Sequence, residues 1–400
     1  MKRLMVGVVA VLLFTGIAGA QTRRNAVGRP DAVTPAAGDA LAGLTAAQRS
    51  DFFDGLGDFR SIETVSDGLG PVFNERSCAA CHSVPATGGG SRRTVTRFSR
   101  RTNGVYDPLT ALGGSLMQDH AIGPGDGSPH RFKPESVPAI ATIIVHRRTP
   151  PLFGLGLVDA TPDADFIALA QMQAGRGDGA VGRASVVDNI RAGMKTVGKF
   201  GWKAQVPTLF QFSGDAYLNE MGITTPDFPN ENCPQGDCSE LSFNPAPAIN
   251  DDGSGPVLLT NFMTLLAAPP RAAQNGDTAE GEATFERIGC TACHVATLHT
   301  GSSAVAALDR KTYHPYSDFL LHDMGALGDD LEMGSATGSE MRTAPLWGLR
   351  FITTYLHDGR ATSLDQAILA HDGQARGARD RYAGLSAAVK AKLIGFLNSL

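Results

Sequence analysis

Two segments of the chain read Cys-x-x-Cys-His: Cys78-Ala79-Ala80-Cys81-His82 and Cys290-Thr291-Ala292-Cys293-His294. No other feature constrains the fold as strongly. Two thiols three residues apart can add to the two vinyl groups of one haem, and the adjoining histidine then lies under the ring to donate a nitrogen to iron. A Cys-x-x-Cys pair alone also suits a redox dithiol or half of a zinc site. A redox dithiol sits in a βαβ context, which surrounds neither pair, and a four-cysteine zinc site would leave both histidines idle. Two covalently bound haem c groups are therefore expected, on Cys78/Cys81 with His82 and on Cys290/Cys293 with His294. The remaining pair, Cys233 and Cys238, has the wrong spacing and no following His. It reads as a short disulfide pinning a loop.

The first twenty residues carry the marks of a secretory signal: Lys2 and Arg3, an apolar run from Leu4 to Ile17, and the small residues Ala18-Gly19-Ala20. Cleavage is expected after Ala20, with a periplasmic or secreted product and no membrane anchor. Residues 21–41, rich in Ala, Pro and Gly, read as a flexible leader. A net charge of −5 gives no reason to expect nucleic acid or an anionic membrane as partner. With 47 Gly and 23 Pro among 400 residues, long ordered loops are expected.

The two halves repeat one another. Phe73 to His82 aligns with Phe285 to His294, each with a Phe five residues before the first Cys. Further on, Arg148 to Leu155 aligns with Arg342 to Leu349 in the same order, so two copies of one haem-binding unit are expected. In the second unit, Asp277 and Glu280 form a capping-box pattern opening a helix, and a terminal helix starts near Ser386. The expected fold is mainly α, with two cytochrome c-like haem domains at 42–268 and 269–400 meeting near Pro269-Pro270. The first carries long loop-rich insertions, notably 202–265.

The sixth iron ligands decide what such a chain does, because an iron with two protein ligands passes electrons whereas an open one binds a small oxidant. Ser363 and Gln366 have capping-box spacing, and Leu364, Ala367, Ile368 and His371 then fall on one helical stripe. His371 is the expected second ligand of the second haem, with Met324 and Met333 as rivals and a packing histidine as the plain alternative. His322 and His357 read as loop-orienting or propionate-binding groups. For the first haem, His120, His130 and His146 lie in the stretch expected to cover it. Glu135, His146 and Arg148 are the candidate acid–base groups by location. Trp202 and Trp347 are candidate electron relays between the haems, or ordinary core indoles.

The segments Asp67 to Asn74, Arg147 to Gly156, Phe200 to Lys203, Leu321 to Gly325, Arg342 to Leu349, Leu356 to Gly359 and Ala367 to Ala375 together resemble one family. These are the bacterial di-haem oxidoreductases of peroxidase type, also called thiol oxidoreductases. More distantly the chain is similar to di-haem cytochrome c peroxidases and to the methylamine-utilisation type di-haem enzymes. The resemblance implies reduction of peroxide or a related oxidant at the first haem, with electrons from a cytochrome or cupredoxin delivered through the second. It also admits a calcium ion. His371 lies fourteen residues after His357, where the related enzymes carry a Met or Tyr ligand. A His there departs from both patterns and would lower the potential of that haem. The alternative is a non-enzymatic di-haem electron carrier with both irons six-coordinate.

Overall fold

The computed structural model describes residues 34–400, so the signal segment and most of the leader lie outside the described residues. Two helix pairs organise the chain. The helix Ala46–Arg60, capped by Thr45 and Gln48, packs on Ser254–Leu265. The helix Gly276–Arg287 packs on Ala387–Leu397. Both crossings are made at a glycine: a Cβ on Gly55 would collide with the Leu258 carbonyl oxygen, and one on Gly281 would collide with that of Lys392. Only a residue without a side chain lets the backbones approach so closely.

Four residues after each glycine comes a phenylalanine that reaches the motif histidine. Phe59 lies 6.0 Å from the His82 ring and Phe285 lies 6.1 Å from the His294 ring, centroid to centroid. Each also packs on a phenylalanine of the crossing helix, Phe262 and Phe396 respectively. The repeat is therefore real in space but aligned differently from the sequence expectation. The partner of Phe285 is Phe59, whereas Phe73 lies in the short strand Val72–Phe73, paired with His120–Ala121. The 18 residues between Phe59 and Cys78 hid the match. The second repeated block holds as aligned: Gly154 (φ 71°) and Gly348 (φ 75°) each turn the chain in the left-handed region before a helical turn.

The architecture is mixed rather than mainly α. Thr94–Thr102 pairs antiparallel with Val105–Asp107, Ser115–Leu116 and Ile143–Arg148. Asn103-Gly104, both at positive φ, make the two-residue hairpin turn, a connection whose twist matches that of the strands it joins. Ser185–Asn189 and Met194–Gly198 form a second hairpin. The span 202–265 is likewise not an irregular insertion. It holds the helices Leu209–Met221 and Ser254–Leu265, whose Leu209, Leu259 and Phe262 sit in the main core with Phe52, Phe59 and Leu152. Pro256 is tolerated because it lies in the first helical turn, where its missing N–H has no partner to lose. A second core gathers Phe285, Tyr316, Tyr382, Leu393 and Phe396.

Cys233 and Cys238 are disulfide-bonded. The helix Gly276–Arg287 is capped by Asn275 with Thr278, two residues before the expected Asp277 and Glu280, because the Asn275 carboxamide reaches the Thr278 N–H. No helix of the described residues is long and apolar enough to cross a membrane.

Candidate functional site

Both Cys-x-x-Cys-His motifs fold as one helical turn with the histidine just past its end. His82 donates from Nδ1 to the Gly89 carbonyl (3.1 Å), and His294 does the same to Tyr316 (2.8 Å). That bond fixes each tautomer with its Nε2 lone pair free. Burial pushes both imidazoles down to about 4, so each is neutral at ordinary pH. The four thiols are unbonded, and burial pushes Cys81 up to about 11 and Cys290 up to about 12. These are not the low-pKa thiols of a redox dithiol. A neutral imidazole beside two unbonded thiols is the donor set a c-type haem needs, and the residues fit that group at both motifs.

Around the first motif lies a cleft of about 1170 Å³, counting its open mouth. Cys78, Cys81 and His82 form one wall. Arg97, Asp215, Asn219 and Glu220 contribute polar groups elsewhere on it, three of them from the helix Leu209–Met221. Glu220 accepts a hydrogen bond from the Asn74 amide at 2.8 Å. Burial raises the Glu220 carboxyl above its usual range, against the opposing pull of Asn74 and Arg97. Asp215 is raised for the same reason, with Arg97 opposing. Sequence reasoning missed this cluster. The acidic residues on one helix carried no motif, and only the fold brings the strand residue Arg97 to face them.

The three acid–base candidates part company. Arg148 lines the cleft, its Nε donating to the Leu356 carbonyl at 3.2 Å, and burial lowers it to about 10. Glu135 is buried outside the cleft, where its carboxylate accepts from the Gln118 and Gln235 backbone N–H groups at 2.8 Å each and ties three loops together. His146 is exposed on the sheet, against the Thr96 hydroxyl at 3.2 Å. His120 stacks on Phe73 and His130 pairs with Glu240 and stacks on Phe243. None of these three histidines is among the residues that line the cleft, whereas Met221 and Met263 are.

At the second motif, Ser363 caps the helix Leu364–Leu369 by accepting from the Gln366 N–H at 3.1 Å. His371 lies two residues beyond that helix, so it is held by its last turn rather than on its stripe. It donates from Nδ1 to the Ala367 carbonyl at 2.8 Å, the same tautomer as the two motif histidines. Burial lowers His371, and its charge would act on His294, which places the two imidazoles in one neighbourhood. Of the rivals, Met333 accepts from Arg147 through its sulfur at 2.9 Å, and Met324 packs with Leu327 and Met341.

His322 converges with Cys293 and Asp318, their ligating atoms within 4.8 Å of one another. Both ring nitrogens already have partners: Nε2 meets Asp318 at 2.9 Å and Nδ1 meets Gln374 at 2.8 Å. Burial alone would lower His322, but the hydrogen bond and charge of the Asp318 carboxylate outweigh it and hold the imidazole above its usual range. Burial would likewise raise Asp318, and His322 and Gln173 overcome it and hold its carboxyl below the usual range. An imidazolium with both N–H groups engaged is a positioning group, not a ligand.

The signs of these shifts give a pH dependence. Stability from His322 is full below about 6.5 and is lost as pH rises through its raised pKa. Stability from Asp318 is full above about 3.8 and is lost on acidification. Denaturant midpoints measured against pH should fall on the alkaline side, and His322→Gln should flatten that limb. An equally steep limb in the variant would contradict the pairing.

Trp202 borders two cavities. It lines the first cleft and the smaller adjoining cavity, donates from Nε1 to the Arg148 carbonyl at 3.1 Å, and packs against the cluster of Met324, Leu327 and Met341. Trp347 lines the adjoining cavity and packs near Tyr313.

Comparison with known proteins bears on the same features. No curated protein matches the chain. A MauG-like protein associated with microbial copper homeostasis is 13% identical, over 94% of this chain and 95% of that one, with a TM-score of 0.40. The diheme peroxidase BthA from Burkholderia thailandensis is 14% identical, over 88% and 86%, with a TM-score of 0.41. Hydrazine synthase from Kuenenia stuttgartiensis is 19% identical, over 51% and 74%, with a TM-score of 0.27. The family described as "Di-haem oxidoreductase, putative peroxidase" matches residues 140–400, the span that carries the second motif, both aligned Arg-to-Leu blocks and Trp202. The chain belongs to this family of di-haem, peroxidase-type oxidoreductases.

Proposed function

We propose that the chain is an exported oxidoreductase that reduces peroxide or a related oxidant, with one haem held by Cys78, Cys81 and His82 and a second by Cys290, Cys293, His294 and His371. Bound there, a haem would supply an iron that changes oxidation state and, where it has an open coordination position, a place for a small oxidant. The residues of the chain do the rest. His82 and His294 present Nε2 because Gly89 and Tyr316 hold their other nitrogen. Glu220, whose carboxyl burial raises above its usual range, is the group positioned to give and take a proton in the first cleft. Arg97 and Arg148 place positive charge in the same wall, where they favour a developing anion. Trp202 offers an aromatic bridge between the two sites, and the electron donor is a small redox protein, a cytochrome or a cupredoxin.

The observation that carries this reading is the first cleft, which sets a carboxyl raised above its usual range in the same space as the Cys78–His82 motif. An electronic spectrum of the purified ferric and half-reduced protein tests it. One low-spin haem and one that responds to peroxide are expected. Two low-spin haems, unresponsive even after partial reduction, would overturn the proposal. The carrier reading has one observation in its favour: the thioethers of Met221 and Met263 are in the cleft wall, and either could close the first iron. The same spectrum separates the two.

A further inference from the structure

Lys203 is wholly buried, at 0% exposure, and its ammonium is ringed by four oxygens. Three are main-chain carbonyls, Thr337 at 3.0 Å, Gly338 at 2.9 Å and Glu340 at 2.6 Å. The fourth is Asp329 Oδ1 at 3.0 Å. The other Asp329 oxygen accepts from Arg147 Nε at 2.9 Å and Nη2 at 2.6 Å. Burial would raise the Asp329 carboxyl, but Arg147 and Lys203 together hold it below its usual range. Carbonyls converging with one carboxylate are what a protein otherwise assembles around a free cation. Four oxygens fall short of the six to eight that calcium takes, but they suit an ammonium.

We propose that Lys203 is a tethered cation filling an oxygen cage, and that the cage becomes a site for free ammonium or potassium once the side chain is removed. The cage joins two distant stretches of chain. Its carbonyls belong to the loop around 329–342, while Lys203 sits in the turn between Gly201 (φ 80°) and Ala204 (φ 48°) that carries Trp202. Arg342 closes the same junction, its backbone N–H donating to the Trp202 carbonyl at 2.9 Å and its Nε to that of Gly201 at 2.6 Å. The ammonium therefore holds the bridging indole in register with no metal ion, and calcium has no role at this junction. Removing one member of a buried ion pair leaves uncompensated charge and is strongly destabilising.

The test compares thermal midpoints of wild-type, Lys203→Ala and Lys203→Met holoproteins in ammonium, potassium and choline chloride at one ionic strength, with and without EDTA and calcium. The wild type should keep one midpoint throughout. Lys203→Ala should melt lower in choline and recover selectively in ammonium or potassium, whose ions fit the vacated space. Lys203→Met, which fills that space with an apolar chain, should melt lower with no selective recovery. Equal responses of Lys203→Ala to choline and potassium would overturn the proposal. So would a wild-type midpoint that falls in EDTA and returns with calcium, a result that stands even if Lys203→Ala yields no holoprotein.

Discussion

Exchange of Glu220 for Gln should lower peroxide turnover by about 10²–10⁴-fold, the range lost with a positioned acid–base group, and leave the resting spectra unchanged. The amide keeps the volume of the side chain and can still meet Asn74, whose Nδ2 bonds Glu220 at 2.8 Å. What it loses is the exchangeable proton. Cleaving an O–O bond needs a proton moved from one oxygen to the other, and a carboxyl raised by burial is better matched to that task near neutrality than a surface glutamate. Asp215 on the same helix is the internal control, since it lines the same cleft and is raised by the same burial. Steady-state kinetics of both variants with peroxide and a reduced donor check the assignment. Loss of turnover in Asp215→Asn, with Glu220→Gln unaffected, would move the role by five residues and refute the assignment to Glu220.

Replacing Cys290 and Cys293 together by alanine should remove one haem and retain the other. The mass should fall by one porphyrin group beyond the loss of two sulfurs, and the remaining Soret absorbance should be about half. The second core is built mainly from other side chains: Phe285, Phe396, Tyr382 and Leu393 are buried together with Cys290 packed at their edge, and the helices Gly276–Arg287 and Ala387–Leu397 cross at Gly281. The polypeptide should therefore still fold, less stably, with the spectrum of the first site intact. Peroxide turnover should be nearly abolished, because electrons from the donor then have no resting place beside Trp202. A double variant that keeps two covalent haems would contradict the assignment, and so would one that loses both.

How far the sequence led depended on whether a feature was local. The two motifs, the Ser363 cap and the terminal helix after Ser386 are each written within a few residues, and each formed as local rules require. The repeat was legible as a repeat but misregistered, since Phe73 and Phe285 share a spacing from cysteine that matters less than the Gly-x-x-x-Phe spacing of Gly55–Phe59 and Gly281–Phe285. That pattern has a physical cause, a helix crossing at the glycine with the phenylalanine one turn on, and it could have been found. The Asn103-Gly104 hairpin was also readable, because that dipeptide between alternating residues is a strong turn signal. The acidic wall of the first cleft was not. Arg97 comes from a strand, Asn74 from the loop before the motif, and Glu220 from a helix far along the chain, so only tertiary packing makes them one site. Glu135 shows the converse, a buried carboxylate in a promising stretch whose oxygens are both taken by backbone N–H groups.

The proposed function requires two porphyrins to be joined through sulfur to Cys78, Cys81, Cys290 and Cys293. Intact-mass spectrometry of protein made in a cell competent for cytochrome c maturation measures this directly, with absorbance read on the same sample. The expected mass is that of the processed polypeptide plus two haems, retained after denaturation, with a Soret band to match. A mass equal to the amino acids alone, without that band, would contradict the whole account.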